Sequence, residues 1–204
     1  MNAGPPGSLA VSLRRWGQLL FAPGADRRLG QRLRALAPGR TDARAGLVLD
    51  IGSGSESRLS RLGARSVAVD VSPARASAAA RAGAMAVVAS AVALPFRDDS
   101  FQGVAGVGLL HHLSDDDAAR AVREMIRVTA TDGQTIVLDA VVPETAWRRP
   151  IAALIRRVDR GRWMRRQQHL ESLLGVPHAW TRERFTDAHT GLEAMLAIHR
   201  KRRT

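Results

Sequence analysis

The sequence contains no cysteine, no tyrosine and a single lysine, Lys201, among its 204 residues. Without cysteine there is no disulfide, no thiolate nucleophile and no thiolate ligand for a metal. Without tyrosine no phenolic proton relay can be built. Aromatic residues make up only 4% of the chain, and although 45% is hydrophobic, no apolar run approaches the roughly 18–20 residues of a membrane span. The N-terminal stretch carries Arg14 and Arg15 after its apolar residues rather than before them, which is not the layout of a signal peptide. A soluble cytoplasmic protein of one domain, long enough for a full core, is the expectation.

Acidic residues are scarce at both ends. Residues 1–45 hold eight Arg against two acids and residues 147–204 hold thirteen Arg and Lys201 against five acids, whereas residues 46–146 hold nine Arg against twelve acids. The net charge of +12 therefore sits on the flanks of a mildly acidic centre. A GC-rich coding bias accounts for Arg in place of Lys but not for the excess itself. A basic surface of this kind suits nucleic acid, an anionic membrane or an acidic substrate, and it is also what a plain solvated face looks like.

The centre is organised around Leu47-Val48-Leu49-Asp50-Ile51-Gly52-Ser53-Gly54-Ser55-Glu56. A short apolar run reads as a buried strand, and two glycines spaced by one residue read as a turn where backbone approaches a ligand closely. A second run, Ser66 to Val69, ends on Asp70, sixteen residues after Gly54. Two parallel strands that each close on an acid at one edge of a sheet make a nucleoside pocket. A P-loop is excluded, because it needs Gly-Lys-Ser/Thr and the only lysine is at 201. A dinucleotide fingerprint needs a third glycine where this chain has Ser57.

The rest of the chain alternates. Helical spacing of apolar residues over Ser8–Leu20 and Asp26–Leu36 predicts a helical cap over residues 1–45. A core over 46–142 follows, with strands at 46–51, 66–70, 85–89, 101–107 and 134–142 and helices at 56–62, 73–82 and 115–128. That order means a parallel sheet with helices on both faces. Residues 143–179 read as an Arg-rich helical insertion, with one helix striped by Trp147, Ile151, Leu154, Ile155 and Val158 and a second over Arg162–Leu174. Residues 180–200 read as a terminal hairpin turning at Thr190-Gly191.

Taken in order, Asp50-Ile51-Gly52-Ser53-Gly54, Val69-Asp70-Val71-Ser72, Leu94-Pro95-Phe96-Arg97-Asp98-Asp99-Ser100-Phe101, Leu110-His111-His112-Leu113 and Arg123-Glu124-Met125-Ile126-Arg127-Val128 resemble the class I S-adenosylmethionine-dependent methyltransferases. The likeness is to their small-molecule, quinone-biosynthesis-like branch (methyltransferase type 11), and it covers about residues 46–142. It implies an α/β, Rossmann-like, seven-stranded and mostly parallel sheet with an antiparallel C-terminal hairpin, and S-adenosylmethionine as cofactor. By that resemblance Asp50, Gly52, Ser53 and Gly54 would border the methionine moiety, and Asp70 would take both ribose hydroxyls, as a two-oxygen acceptor can. Val71 would pack on adenine, Ser90 and Ala91 would line its amino edge, and Gly106 through Leu109 would pass under the sulfonium. The chain departs from the family pattern at Ser57, in the short helix after it, and at Ser90, where an acid is common.

Methyl transfer from a sulfonium needs alignment, exclusion of water and sometimes a proton acceptor. His111 is the candidate base, because it follows the fourth strand at the carboxyl edge of the sheet, where ligands bind. A packing role for His111 and His112 in the turn is the competing reading. Asp115-Asp116-Asp117 beside two histidines suggests a metal, but Ser114 followed by three acids is a helix N-terminus, and no metal is assigned. Trp147, Trp163 and Trp180 with Trp16 and Phe21 could line an apolar acceptor pocket or simply pack helix faces. The expected activity is methyl transfer to a small, apolar or anionic metabolite, with peripheral contact to an anionic membrane as the partner its basic flanks suit. An RNA methyltransferase and a repurposed, non-catalytic member of the fold are the alternatives.

Overall fold

The computed structural model describes residues 47–61, 65–142, 162–186 and 193–202, together with Gln31. The expected cap over 1–45, the helix striped by Trp147 to Val158 and the turn at Thr190-Gly191 lie outside the described residues. Seven strands form one sheet in the order β3-β2-β1-β4-β5-β7-β6. They are β1 (Val48–Ile51), β2 (Ser66–Asp70), β3 (Met85–Val88), β4 (Phe101–Val107), β5 (Thr129–Val141), β6 (Trp180–Thr186) and β7 (Glu193–Arg200). The first five are parallel in the 3-2-1-4-5 order, and β7 runs antiparallel between β5 and β6. This is the mostly parallel sheet with an antiparallel C-terminal pair that the sequence predicts.

Alternation along the central strands sorts side chains onto two faces. Leu49, Ile51, Val69, Val104, Val137 and Val141 join one buried cluster with Ala118, Ala121, Val122 and Met125. Those four come from α3 (Asp115–Val128), so this helix covers that face. Val48, Ala105, Ile136, Leu138 and Leu196 form the other cluster around Leu59 of the one-turn helix α1 (Arg58–Arg61). Helix α2 (Pro73–Arg81) begins on a proline, whose fixed φ suits the first helical position, and packs along β2 and β3. Helix α4 (Gln167–Leu173) brings Leu170 and Leu173 against the first cluster.

Ser114 starts α3 as expected, its Oγ accepting the Asp117 N–H at 3.2 Å, with three acids in the first turn. Such a cap contributes about 1 kcal/mol. Three elements differ from the sequence reading. The helix after the glycine turn begins at Arg58 rather than 56, because Ser57 caps it by accepting the Ser60 N–H. Strand β5 begins at Thr129 rather than 134, because α3 runs directly into it and Phe101 pairs with Thr129 ahead of a register shift. The helix expected over Arg162–Leu174 is shortened to Gln167–Leu173. Its first residues instead form a turn at 162–163, and Arg165 pairs in parallel with Val141 at the end of β5. Trp180 is buried, and its indole N–H donates to the Leu174 carbonyl, so it belongs to the core. No helix among the described residues is long and apolar enough to cross a membrane.

Candidate active site

The strand register brings the predicted residues to one edge. Ile51 pairs with Val69 and Gly106, Asp70 with Val88, and Val107 with Leu138. Gly52, Asp70, Ala89-Ser90, Gly108 and Asp139 therefore all stand at the carboxyl ends of parallel strands.

The glycine turn wraps over the end of β2, with the N–H groups of Gly52 and Ser53 both donating to the Val69 carbonyl at 2.8 and 3.0 Å. Gly52 and Gly54 both have φ of +70°, a conformation that a side chain strains. A Cβ on Gly52 would lie 2.7 Å from Leu109 Cδ1, whereas one on Gly54 would meet nothing within 4 Å. Leu109 thus plugs the turn from the β4 side and also lies against Gly106. Asp70 is buried. Its Oδ2 accepts the Gly54 N–H at 3.0 Å, its Oδ1 accepts the Ser72 N–H at 2.9 Å, and Arg75 stands 3.9 Å away. Val71, next in the chain, leaves an apolar side chain 70% exposed.

Asp50 and Ser53 sit less openly than the resemblance implies. The Asp50 carboxylate accepts Ser57 Oγ–H at 2.6 Å and faces the Leu59 N–H at 3.5 Å, so it fastens α1 to β1. Ser57 is buried, so the residue in place of the third glycine is an internal hydrogen-bonding group. The Ser53 hydroxyl lies 3.4 Å from the neighbouring Gly54 carbonyl.

On the β3 side, Ser90 and Ala91 are half-buried, and Ser90 Oγ accepts the Val92 N–H at 3.4 Å. The loop beyond them is strapped to α3. Glu124 accepts the Leu94 N–H at 2.7 Å, and Arg127 donates to the carbonyls of Leu94 and Phe96 and to Asp98. Hydrogen bonding to Arg127, and then the Leu94 N–H, hold the Glu124 carboxyl below its ordinary range, against the effect of burial. Glu124 and then Asp98 push the Arg127 guanidinium upward.

On the β4 side, a 3-10 turn over Leu110–His112 carries His111, which is buried. Its Nδ1 lies 2.5 Å from Asp139 Oδ1, and the other Asp139 oxygen accepts the N–H groups of Leu110 and His111 at 2.5 and 3.3 Å. The carbonyls of the same turn are also bound. Arg165 donates to those of Leu110 and Leu113 at 2.7 and 2.6 Å, and the Trp163 N–H donates to that of His111 at 3.0 Å. Arg165 Nε pairs with Asp115 at 2.8 Å. That hydrogen bond is the largest of the effects that lower the Asp115 carboxyl, and His169 adds to it.

Residues 49–137 match the model of the methyltransferase domain family. The match covers 89 of the chain's 204 residues, from β1 into β5. Among solved structures, the YcgJ protein of Bacillus subtilis superposes with a TM-score of 0.64 at 18% identity, over 86% of this chain and 98% of that one. Geranyl diphosphate C-methyltransferase of Streptomyces coelicolor, solved with S-adenosyl-L-homocysteine, superposes with a TM-score of 0.60 at 10% identity, over 86% and 80%. The mouse protein named "Probable tRNA methyltransferase 9B" is 42% identical over 45 residues, which is 22% of this chain and 10% of that protein. The chain thus spans only a small part of that relative's length.

The carboxyl edge fits S-adenosylmethionine, the cofactor that the sequence resemblance implies. The space over Gly54 is open, and the buried Asp70 carboxylate has four lone-pair sites, of which the described amides take two. Sequence reasoning missed Asp139 and Arg165. Asp139 is a lone acid inside the apolar strand Ile136–Val141, where a charge costs too much to be kept without partners. That was the available signal. Arg165 carried none, being one of thirteen Arg in its segment. A cavity of about 880 Å³ lined by His178, Thr181, His199, Arg200 and Arg202 lies at the opposite edge of the sheet, away from this site.

Proposed function

We propose that the protein is an S-adenosylmethionine-dependent methyltransferase that acts on a small, apolar or anionic metabolite, with the cofactor held along the carboxyl edge. Asp70 takes the ribose hydroxyls, Val71 packs on adenine and Ser90 with Ala91 lines its amino edge. Gly52, Ser53 and Gly54 border the methionine end, with Asp50 bracing that turn from beneath. Gly106 and Leu109 form the wall under the reacting sulfur, and His111 serves as the proton acceptor. The observation that carries the cofactor assignment is the buried Asp70 carboxylate, oriented by the glycine turn at 3.0 Å and still able to accept. An apolar acceptor is supported by Trp163, which is tied through its backbone to the His111 turn and leaves its indole 42% exposed.

Titration calorimetry with S-adenosylhomocysteine tests the assignment. We expect binding by the full chain and a loss of at least roughly tenfold in Asp70→Ala, as for removal of hydrogen bonds to a charged group. Absence of detectable binding by the unaltered chain would sink it. An RNA acceptor is a second reading, supported by the +12 charge and the short likeness to the tRNA methyltransferase named above. The protein partners for either reading are the acceptor and, through its basic flanks, an anionic surface.

A further inference from the structure

We infer that the cavity at the amino edge of the sheet, between the starts of β5 and β6 and the end of β7, binds the phosphate of a small organic ester through Arg200 and Arg202. This goes beyond the proposed function and does not rest on it, because the cavity lies at the edge opposite the carboxyl ends of the parallel strands.

Strand register builds the place. Gln134 pairs with Arg200 across β5 and β7, and Thr181 pairs with Ile198 across β6 and β7. These pairs stand where β5 and β6 begin and β7 ends. The 3-10 turn over Pro177–Ala179 adds His178 and Ala179 to the wall. The enclosed volume is about 880 Å³, within the range of roughly 300–1,000 Å³ that small-ligand sites occupy.

The charges on that wall do not balance. It holds Arg200, Lys201 and Arg202 against one acid, Asp99. Lys201 and Asp99 are engaged with each other at 3.0 Å, and Lys201 Nζ also donates to the carbonyls of Ile126, Arg127 and Thr129. Arg200 and Arg202 are exposed, and among the described residues their guanidinium groups make no ion pair or hydrogen bond. Two cations without a counter-charge therefore line one concavity. The local field is positive. Lys201, second to burial, pushes the His199 imidazole on the same wall below its ordinary range, so the pairing with Asp99 does not cancel its charge.

The backbone between the two arginines is pinned. The Lys201 N–H donates to the Gly133 carbonyl at 3.0 Å, and the Lys201 carbonyl accepts the Asp132 N–H at 2.8 Å. Gly133 permits this packing, since a Cβ there would lie 2.8 Å from the carbonyl oxygens of both Ala130 and Gln102. Fixing the stems of both cations lowers the ordering cost of binding. A guanidinium fork matches two phosphate oxygens at once. The hydroxyls of Thr131 and Thr181 and the Gln134 amide line the same wall without a hydrogen bond among the described residues, and each can donate to a further phosphate oxygen. Ile198 and Ala179 add apolar surface, which suits the organic part of an ester. A nucleic acid strand engages a row of cations that tracks its backbone, whereas two free arginines in a concavity match a single phosphate.

The test is a titration of the full chain with inorganic phosphate and with phenyl phosphate, at constant ionic strength and about pH 8, where such groups are dianions. It is followed by 1H–15N correlation of the arginine Nε–H groups, with Arg200→Ala and Arg202→Ala to assign them. We expect saturable shifts of the Arg200 and Arg202 resonances and tighter binding of phenyl phosphate than of inorganic phosphate. Either substitution should weaken binding by at least about tenfold, as for loss of charge-assisted hydrogen bonds. Arg81→Ala removes an equal charge from the end of α2, on the far side of the sheet, and should change affinity by less than about twofold, because distant exposed charges are screened. Shifts that do not saturate, or a loss in Arg81→Ala as large as in Arg200→Ala, overturn the site and leave only the general field of a basic chain. Equal affinity for the two probes overturns the organic ester. Displacement of phenyl phosphate by a single-stranded RNA oligonucleotide, with a salt slope steeper than about 2, overturns the small ligand in favour of nucleic acid. Phosphate affinity should be the same in Asp70→Ala, and displacement of phenyl phosphate by S-adenosylhomocysteine would show that the two sites are not separate and overturn the inference.

Discussion

At the scale of single residues, Ser57 shows how a departure from a motif is absorbed. The dinucleotide fingerprint puts glycine at this place for close packing of helix on strand. Here the serine hydroxyl is turned inward, donates to Asp50, lies 3.3 Å from Ser66 Oγ and caps the one-turn helix at Ser60. The start of the helix and the serine are therefore one feature. Replacing Ser57 with glycine, which would restore the fingerprint, should lower stability by about 1–2 kcal/mol, because Asp50 loses a buried charge-assisted bond and the helix its cap. Denaturation in urea measures this. S-adenosylhomocysteine affinity should stay within about threefold, since Asp70 and the glycine turn do not touch the Ser57 hydroxyl. A gain in stability would mean that the motif reading outweighs the local hydrogen bonds.

At the scale of elements, the one lysine explains itself. Lys201 Nζ donates to the carbonyls of Ile126, Arg127 and Thr129 at 3.3, 3.3 and 2.9 Å and pairs with Asp99 at 3.0 Å. These carbonyls close the C-terminal end of α3, where a helix presents unsatisfied acceptors and partial negative charge. A compact ammonium with three rotatable donors suits three carbonyls converging on one point better than a planar guanidinium does. Lys201→Ala should therefore cost about 1 kcal/mol, and Lys201→Arg should recover only part of it, read as midpoints of urea unfolding. Sequence alone suggested a coding bias toward Arg. The structure shows why one position escaped it.

At the scale of the whole molecule, two properties follow from charge and burial. His199 has a buried Nδ1 without a hydrogen-bond partner among the described residues, and burial, then Lys201, push its imidazole below the ordinary 6.5. The unfolded chain thus binds this proton more readily than the folded one. The contribution is fully present above about pH 6.5 and is lost as pH falls through that value toward the depressed one. Glu124, held below its ordinary 4.5, loses its contribution in the same sense at lower pH. Unfolding free energy should fall in two steps on acidification, and His199→Phe should flatten the first while leaving the second. The second property is the net charge of +12. RNA should bind in low salt and dissociate steeply as salt rises, as counterion release requires. For a small-molecule enzyme, methyl transfer will not be stimulated by that RNA, whereas stimulation that tracks the salt curve would move the function to the second reading.

What the sequence determined by itself is the order of elements and the carboxyl edge. Short apolar runs closing on Asp50 and Asp70, glycines at 52 and 54, and Ser114 ahead of three acids act through backbone sterics, period and capping, which are local. The bounds of β2, β4 and α3 were legible for that reason. The tertiary structure decided what depends on partners distant in sequence. Segment 162–166 reads as the start of a helix from its apolar positions, but it forms a turn and then pairs through Arg165 with the end of β5, because β5 offers a backbone partner and the His111 turn offers three carbonyls. Asp139 lies within a strand that reads as continuous, and the fold places His111 beside it, 28 residues away in sequence. The buried charge is kept only through contacts that also hold the His111 turn, and no local pattern records such a coupling.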